Sequence, residues 1–78
     1  MTLEAILGPV LGEIGRPLRE DDCPETIAGW DSVRQIEIVV ALEDAFDIEL
    51  STSEILRLRS VRDILTVLQG RGLSLGLS

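Results

Sequence analysis

Between residues 31 and 46 the apolar side chains recur at steps of three and four without a break, which is the spacing of an amphipathic helix with more than one apolar stripe. Ile36, Val39, Leu42 and Phe46, with Ile38 and Ala45 beside them, are expected to face a core. Val33, Glu37, Val40 and Asp44 fall on a second stripe below Ser32. Two valines framed by carboxylates read as a docking surface, where apolar contact supplies affinity and charge supplies orientation. Scattered surface valines are the plain alternative.

A chain of 78 residues holds one small core and one site beside it. The apolar content comes from Leu, Ile, Val and Ala, with Trp30 and Phe46 the only aromatics, so an aliphatic helical bundle is expected. A core this small is marginal and leans on well-capped helices.

The rest of the chain supplies three partners for that helix. Leu3, Ile6, Leu7, Val10, Leu11 and Ile14 predict a first helix, capped by Thr2, ended by Gly15-Arg16-Pro17, and kinked or delayed by Gly8-Pro9. Residues 16–30 form a long loop with acids at Glu20, Asp21, Asp22 and Glu25, pinned by Leu18 and Ile27. A brief third helix over residues 54–58 has Thr52 or Ser53 as its cap. Ser60 caps a last helix carrying Val61, Ile64, Leu65 and Leu68, with Asp63 near its N-terminus, and Gly70 stops it. The expected organisation is a folded unit over residues 1–69 and a flexible tail over 70–78.

Charge and inventory exclude several functions. A net charge of −7, with seven arginines and no lysine, argues against nucleic acid or an anionic membrane as partner and favours a basic protein surface. The apolar stretch over residues 5–11 is flanked by Glu4 and Glu13 with no basic leader, unlike a secretory signal, and no run approaches a membrane span. With one cysteine, Cys23, an intrachain disulfide is impossible, which fits a cytoplasmic location, and a monomer is expected. No histidine, tyrosine or lysine is present to act as a base, so a non-catalytic protein is expected. No metal site is expected: a calcium loop counted from Asp47 lacks its turn glycine and has Leu58 at the twelfth position.

Ser32 stands in the first turn of the long helix, where unpaired backbone N–H groups would welcome a phosphate on its oxygen. Asp31-Ser32 is also an ordinary helix start. The wider pattern, Asp31-Ser32-Val33, Glu37, Ala41-Leu42-Glu43, Phe46-Asp47, Glu49-Leu50 and Ser60-Val61, resembles the acyl carrier protein family over about half the chain, at the family's spacing and without a gap.

The resemblance implies an all-α four-helix bundle with a long first loop and a short third helix. It implies 4'-phosphopantetheine, transferred from coenzyme A by a phosphopantetheinyl transferase and attached covalently to Ser32, with Asp31 the acid preceding it. Val33, Arg34, Glu37, Val40, Glu43 and Asp44 would face partner enzymes: an acyl- or aminoacyl-loading ligase and a downstream synthase or transferase. An apolar pocket lined by Val39, Leu42, Phe46, Ile55, Leu58 and Val61 could shelter an acyl chain, although each of these is also an ordinary core residue.

Trp30, Arg34, Leu56, Arg57 and Arg59 depart from the fatty-acid carrier, and the Gly-Trp-Asp-Ser form looks more like stand-alone carriers of polyketide-type or aminoacyl-type pathways. The expected function is an acyl carrier. An aminoacyl or peptidyl carrier is the alternative within that class, and an unmodified helical adaptor, with Ser32 only a cap, is the alternative outside it.

Overall fold

A computed structural model describes residues 2–12 and 14–77. Four helices follow in chain order: α1 (Leu3–Leu11), α2 (Ser32–Phe46), α3 (Thr52–Leu56) and α4 (Val61–Gly70). The all-α bundle with a long first loop and a short third helix is as the sequence implies.

Each helix opens on a side-chain cap that accepts one of the backbone N–H groups left over at its start. Thr2 accepts from Ala5 N, Asp31 from Arg34 N, Ser51 from Glu54 N and Ser60 from Asp63 N. The cap of α3 is Ser51 rather than the expected Thr52 or Ser53, because Glu54 returns the bond to the Ser51 amide and completes a capping box.

Helix α1 starts where the periodicity predicts and carries Pro9 without delay, but it ends a turn early. Gly12 takes a positive φ of 76° and its N–H reaches the Gly8 carbonyl, a left-handed exit that a side chain would strain. Ile14 therefore packs from outside the helix, and Glu13, expected within it, lies outside the described residues.

The core is aliphatic. Leu3, Leu7, Ile38, Leu42, Leu58, Val61, Ile64 and Leu68 are buried almost completely, and Leu18 and Ile27 pin the long loop to them as expected. Trp30 joins this core at 3% exposure, an anchor hidden by its position beside the polar helix start.

Ile36 departs from its expected place. It is 66% exposed, whereas Ile38 is fully buried. Two residues are about 200° apart around a helix, so Ile38, Leu42 and Ala45 define one side and Ile36 is carried to the other, beside Val33 and Val40.

The long loop is tied down by polar contacts as well. Asp22 is 2% exposed and accepts from both Arg16 guanidinium nitrogens, from Arg19 N and from the Thr26 hydroxyl. The loop also serves α4: the Asp22 and Glu20 carbonyls accept from Val61 N and Arg62 N. Backbone thus caps backbone at that helix start.

Residues 70–78 are expected as a flexible tail; within them, residues 76 and 77 lie against the start of α1. Leu3 N and Glu4 N donate to the carbonyls of Gly76 and Leu77, and Leu73, Leu75 and Leu77 are half-buried on the core.

Candidate functional site

Helix α2 begins on Asp31, whose extended backbone and carboxylate do the capping. Ser32, the next residue, is exposed, and its hydroxyl has no hydrogen-bond partner among the described residues. The helix does not need it. Asp31 rather than Ser32 is the cap, so the adaptor reading, in which the serine is retained for capping, loses its physical reason.

The amides of Ser32 and Val33 likewise have no protein partner among the described residues, because Asp31 satisfies Arg34 N through its carboxylate and Gln35 N through its carbonyl. They stand at the positive end of a fifteen-residue helix. An exposed hydroxyl beside two free amides and a helix N-terminus suits a singly charged phosphodiester, so the chain's own residues fit a phosphate-linked group there.

A groove of about 570 Å³ opens beside Ser32. Trp30, Ile55 and Leu58 give it an apolar floor, while Glu25 and Arg59 lie at its polar margin. Of the six residues expected to form a cargo pocket, Ile55 and Leu58 line this groove. Val39, Leu42 and Val61 lie in the interior and Phe46 is half-buried against it. The groove is instead completed by Trp30, Gln35 and Leu56.

The expected docking residues divide. Val33 and Val40 are 58% and 50% exposed, and Glu37 and Asp44 are exposed on the same side of α2. Arg34 folds back to Glu37 at 3.1 Å, a surface pair that contributes little energy but fixes where two charges sit. Glu43 turns away from this face: it is half-buried and accepts from Leu50 N at 2.8 Å, closing the α2–α3 connection. Its carboxylate is consumed by the fold.

Ile36 belongs to the exposed face, where periodicity alone does not place it. The pairing of Ile38 with Leu42 and Ala45 is the signal that could have placed it. Leu56, 72% exposed on α3, adds a second exposed apolar side chain that the sequence pattern did not single out for docking.

The family model for the phosphopantetheine attachment site matches residues 3–68. The chain belongs to that family, which includes the acyl carrier proteins. It is a carrier protein of the phosphopantetheine-attachment type, and 4'-phosphopantetheine is its prosthetic group. It is similar to an acyl carrier protein of Syntrophus aciditrophicus (strain SB), 28% identical over 78 residues that cover 95% of this chain and 98% of the relative. Its fold is also that of a solved structure described as a candidate acyl carrier protein from Mycobacterium tuberculosis, with a TM-score of 0.75 and 24% identity over 87% of this chain and 90% of that one.

Carrier proteins of this family meet phosphopantetheinyl transferases and biosynthetic enzymes, and are generally non-catalytic. No helix among the described residues is long and apolar enough to cross a membrane. No cluster of three metal-ligating side chains occurs among the described residues.

Proposed function

We propose that Ser32 is the attachment site and that the chain is a non-catalytic cytoplasmic carrier, presenting an acyl intermediate to the enzymes of a small biosynthetic pathway. The observation that carries this reading is the exposed, unbonded Ser32 hydroxyl directly after a cap that Asp31 already supplies. When bound, the pantetheine group supplies a thiol on which cargo is held as a thioester. The protein's own residues then orient and recognise. The free amides of Ser32 and Val33 favour the phosphodiester, and Asp31 holds the helix start in place.

Recognition falls to the exposed side of α2. Val33, Ile36 and Val40 form an apolar stripe edged by Glu37 and Asp44, with Arg34 pinned to Glu37 and Leu56 on the neighbouring α3. A partner with a small apolar patch and a basic rim is complementary to it. Tethering replaces a diffusive encounter between cargo and enzyme by a local one, so partner affinity need only be modest.

The test is the intact mass of the chain before and after incubation with coenzyme A and a broad-specificity phosphopantetheinyl transferase, with Ser32→Ala alongside. A phosphopantetheine-sized gain that is lost in the variant is expected. No gain, with a control carrier modified in the same tube, overturns the reading. Ser32→Ala should itself be almost neutral for stability, since no cap is lost.

A further inference from the structure

The groove beside Ser32 is crossed by a two-step hydrogen-bond relay. The Trp30 indole N–H donates to Gln35 Oε1 at 2.6 Å, and Gln35 Nε2 donates to the Leu58 carbonyl at 2.8 Å. The indole can only donate and the carbonyl can only accept, so the relay fixes which way the Gln35 amide points. Trp30 is buried and belongs to the loop, Gln35 lies on α2 one turn below Ser32, and Leu58 lies between α3 and α4. One side chain therefore joins three segments.

Helix α3, which it helps to hold, has little support from its own side chains. Helix α3 has five residues and none of them is fully buried. A helix so short does not stand by itself. At its start it is clamped by Arg71, which donates to both Glu54 carboxylate oxygens and to the Glu49 carbonyl. Just past its end, Gln35 takes the Leu58 carbonyl. Leu50 and Leu58 are buried on either side of it, but within α3 only Ile55 is half-buried on the core and the other attachments are polar, which marks α3 as an element that opens at low cost.

We propose that Gln35, oriented by Trp30, is a latch that seats the α3–α4 turn on α2 and so keeps cargo carried at Ser32 in the open groove and out of the interior beyond Leu58. The cargo half of this inference rests on the carrier reading, whereas the latch itself does not. Gln35 is a positioning residue. Its amide bridges α2 to the Leu58 carbonyl, and both residues line the groove beside Ser32, so a chain from Ser32 that went past Leu58 to the interior would have to part them.

Gln35→Glu separates the two bonds, since a carboxylate still accepts from Trp30 but no longer donates to Leu58. Gln35→Met removes both and serves as the second variant. In the unmodified protein, hydrogen exchange at the Ile55, Arg57 and Leu58 amides should quicken by about tenfold in each variant while α1 and α4 amides hold their rates. The Trp30 indole proton should stay protected in Gln35→Glu and lose protection in Gln35→Met. Unchanged exchange in both variants, or a uniform rise over all four helices, overturns the latch.

The second arm uses protein loaded with acetyl or octanoyl groups, with loading verified by mass. The wild-type forms should melt within about 2 °C of each other, whereas Gln35→Glu should gain about 5 °C or more from the octanoyl group as it reaches the interior. An equal gain in wild type overturns the exclusion of cargo. Absence of the mass gain at Ser32 overturns the carrier reading and the cargo half together, and leaves the exchange result to decide the latch.

Discussion

Arg16 grips Asp22 through two parallel hydrogen bonds, Nη1 to Oδ2 at 2.9 Å and Nη2 to Oδ1 at 2.7 Å, and the aspartate is 2% exposed. Two further donors, Arg19 N and the Thr26 hydroxyl, complete its coordination. Because the Asp22 backbone also takes Val61 N, this pair joins the long loop to the start of α4. The loop can then deliver Trp30 and Asp31 to the start of α2 in one conformation.

Asp22→Asn should destabilise the fold by about 2–3 kcal/mol, because it removes the charge that Arg16 and two other donors address. Arg16 retains partial access to water, which keeps the cost below that of a fully buried pair. Chemical denaturation of the two proteins at neutral pH measures it, and a difference under about 0.5 kcal/mol would mean the loop is held by Leu18 and Ile27 alone.

Acid should unfold the protein by way of the same residue. Hydrogen bonds from Arg16, together with those from Arg19 and Thr26, hold the Asp22 carboxyl well below the usual carboxylate range against the opposing effect of burial. Arg71 and the Ser51 amide likewise lower Glu54 to about 2. A carboxyl with a depressed folded pKa is ionised in the fold while the unfolded chain is taking up protons, so stability is complete above the ordinary carboxylate range and falls as pH drops through it. Denaturation midpoints should therefore be flat from about pH 6 to 8 and decline below about pH 4.5, with a shallower decline in Asp22→Asn. A wild-type midpoint unchanged down to pH 3 would contradict this.

Much of this was legible in the sequence, and the reasons differ between residues. Leu3, Leu7, Ile64 and Leu68 repeat at helical spacing and are buried as that spacing predicts, and Ser60 caps α4 because nothing competes for its hydroxyl. The Asp31-Ser32 pair at the start of α2 was equally plain. Asp22 was not, because a buried acid in a run of acids looks like its solvated neighbours until Arg16 is brought beside it by the fold. Trp30 and Gln35 are five residues apart, a separation with no meaning on a helix face, and only the turn into α2 makes them partners. The side that Ile36 takes is not legible, because a helix with apolar residues on two sides has no single stripe to read.

Ile36 and Ile38 should respond oppositely to the same change. Ile38→Ala leaves a hole in the interior and should cost about 2–5 kcal/mol. Ile36→Ala removes an exposed side chain and should alter stability by under about 0.5 kcal/mol while raising the KM for a partner enzyme by about threefold to tenfold. Glu37→Lys should also raise that KM toward a basic partner, with the effect shrinking as salt increases. Equal KM values for wild type and both surface variants at low salt would remove the exposed side of α2 as the recognition face.

The segment after α4 should prove structural. Helix α1 has nine residues, one of them Pro9, and its first three N–H groups are satisfied from outside the helix: Ala5 N by Thr2, Leu3 N by the Gly76 carbonyl and Glu4 N by the Leu77 carbonyl. Three half-buried leucines, Leu73, Leu75 and Leu77, press the segment onto the core. Replacing residues 73–77 with a glycine-serine segment of equal length keeps the chain length and discards the leucines. Partial burial of three leucines is worth roughly 2–4 kcal/mol, less the entropy of ordering the segment, so a net loss of about 1–3 kcal/mol is expected. For a domain of this size that lowers the melting temperature by roughly 5–20 °C. Hydrogen exchange at Leu3 and Glu4 should quicken more than at α4 amides, because their carbonyl partners are those of Gly76 and Leu77. A melting temperature unchanged within about 2 °C would mean that α1 needs only Thr2 and its own apolar face.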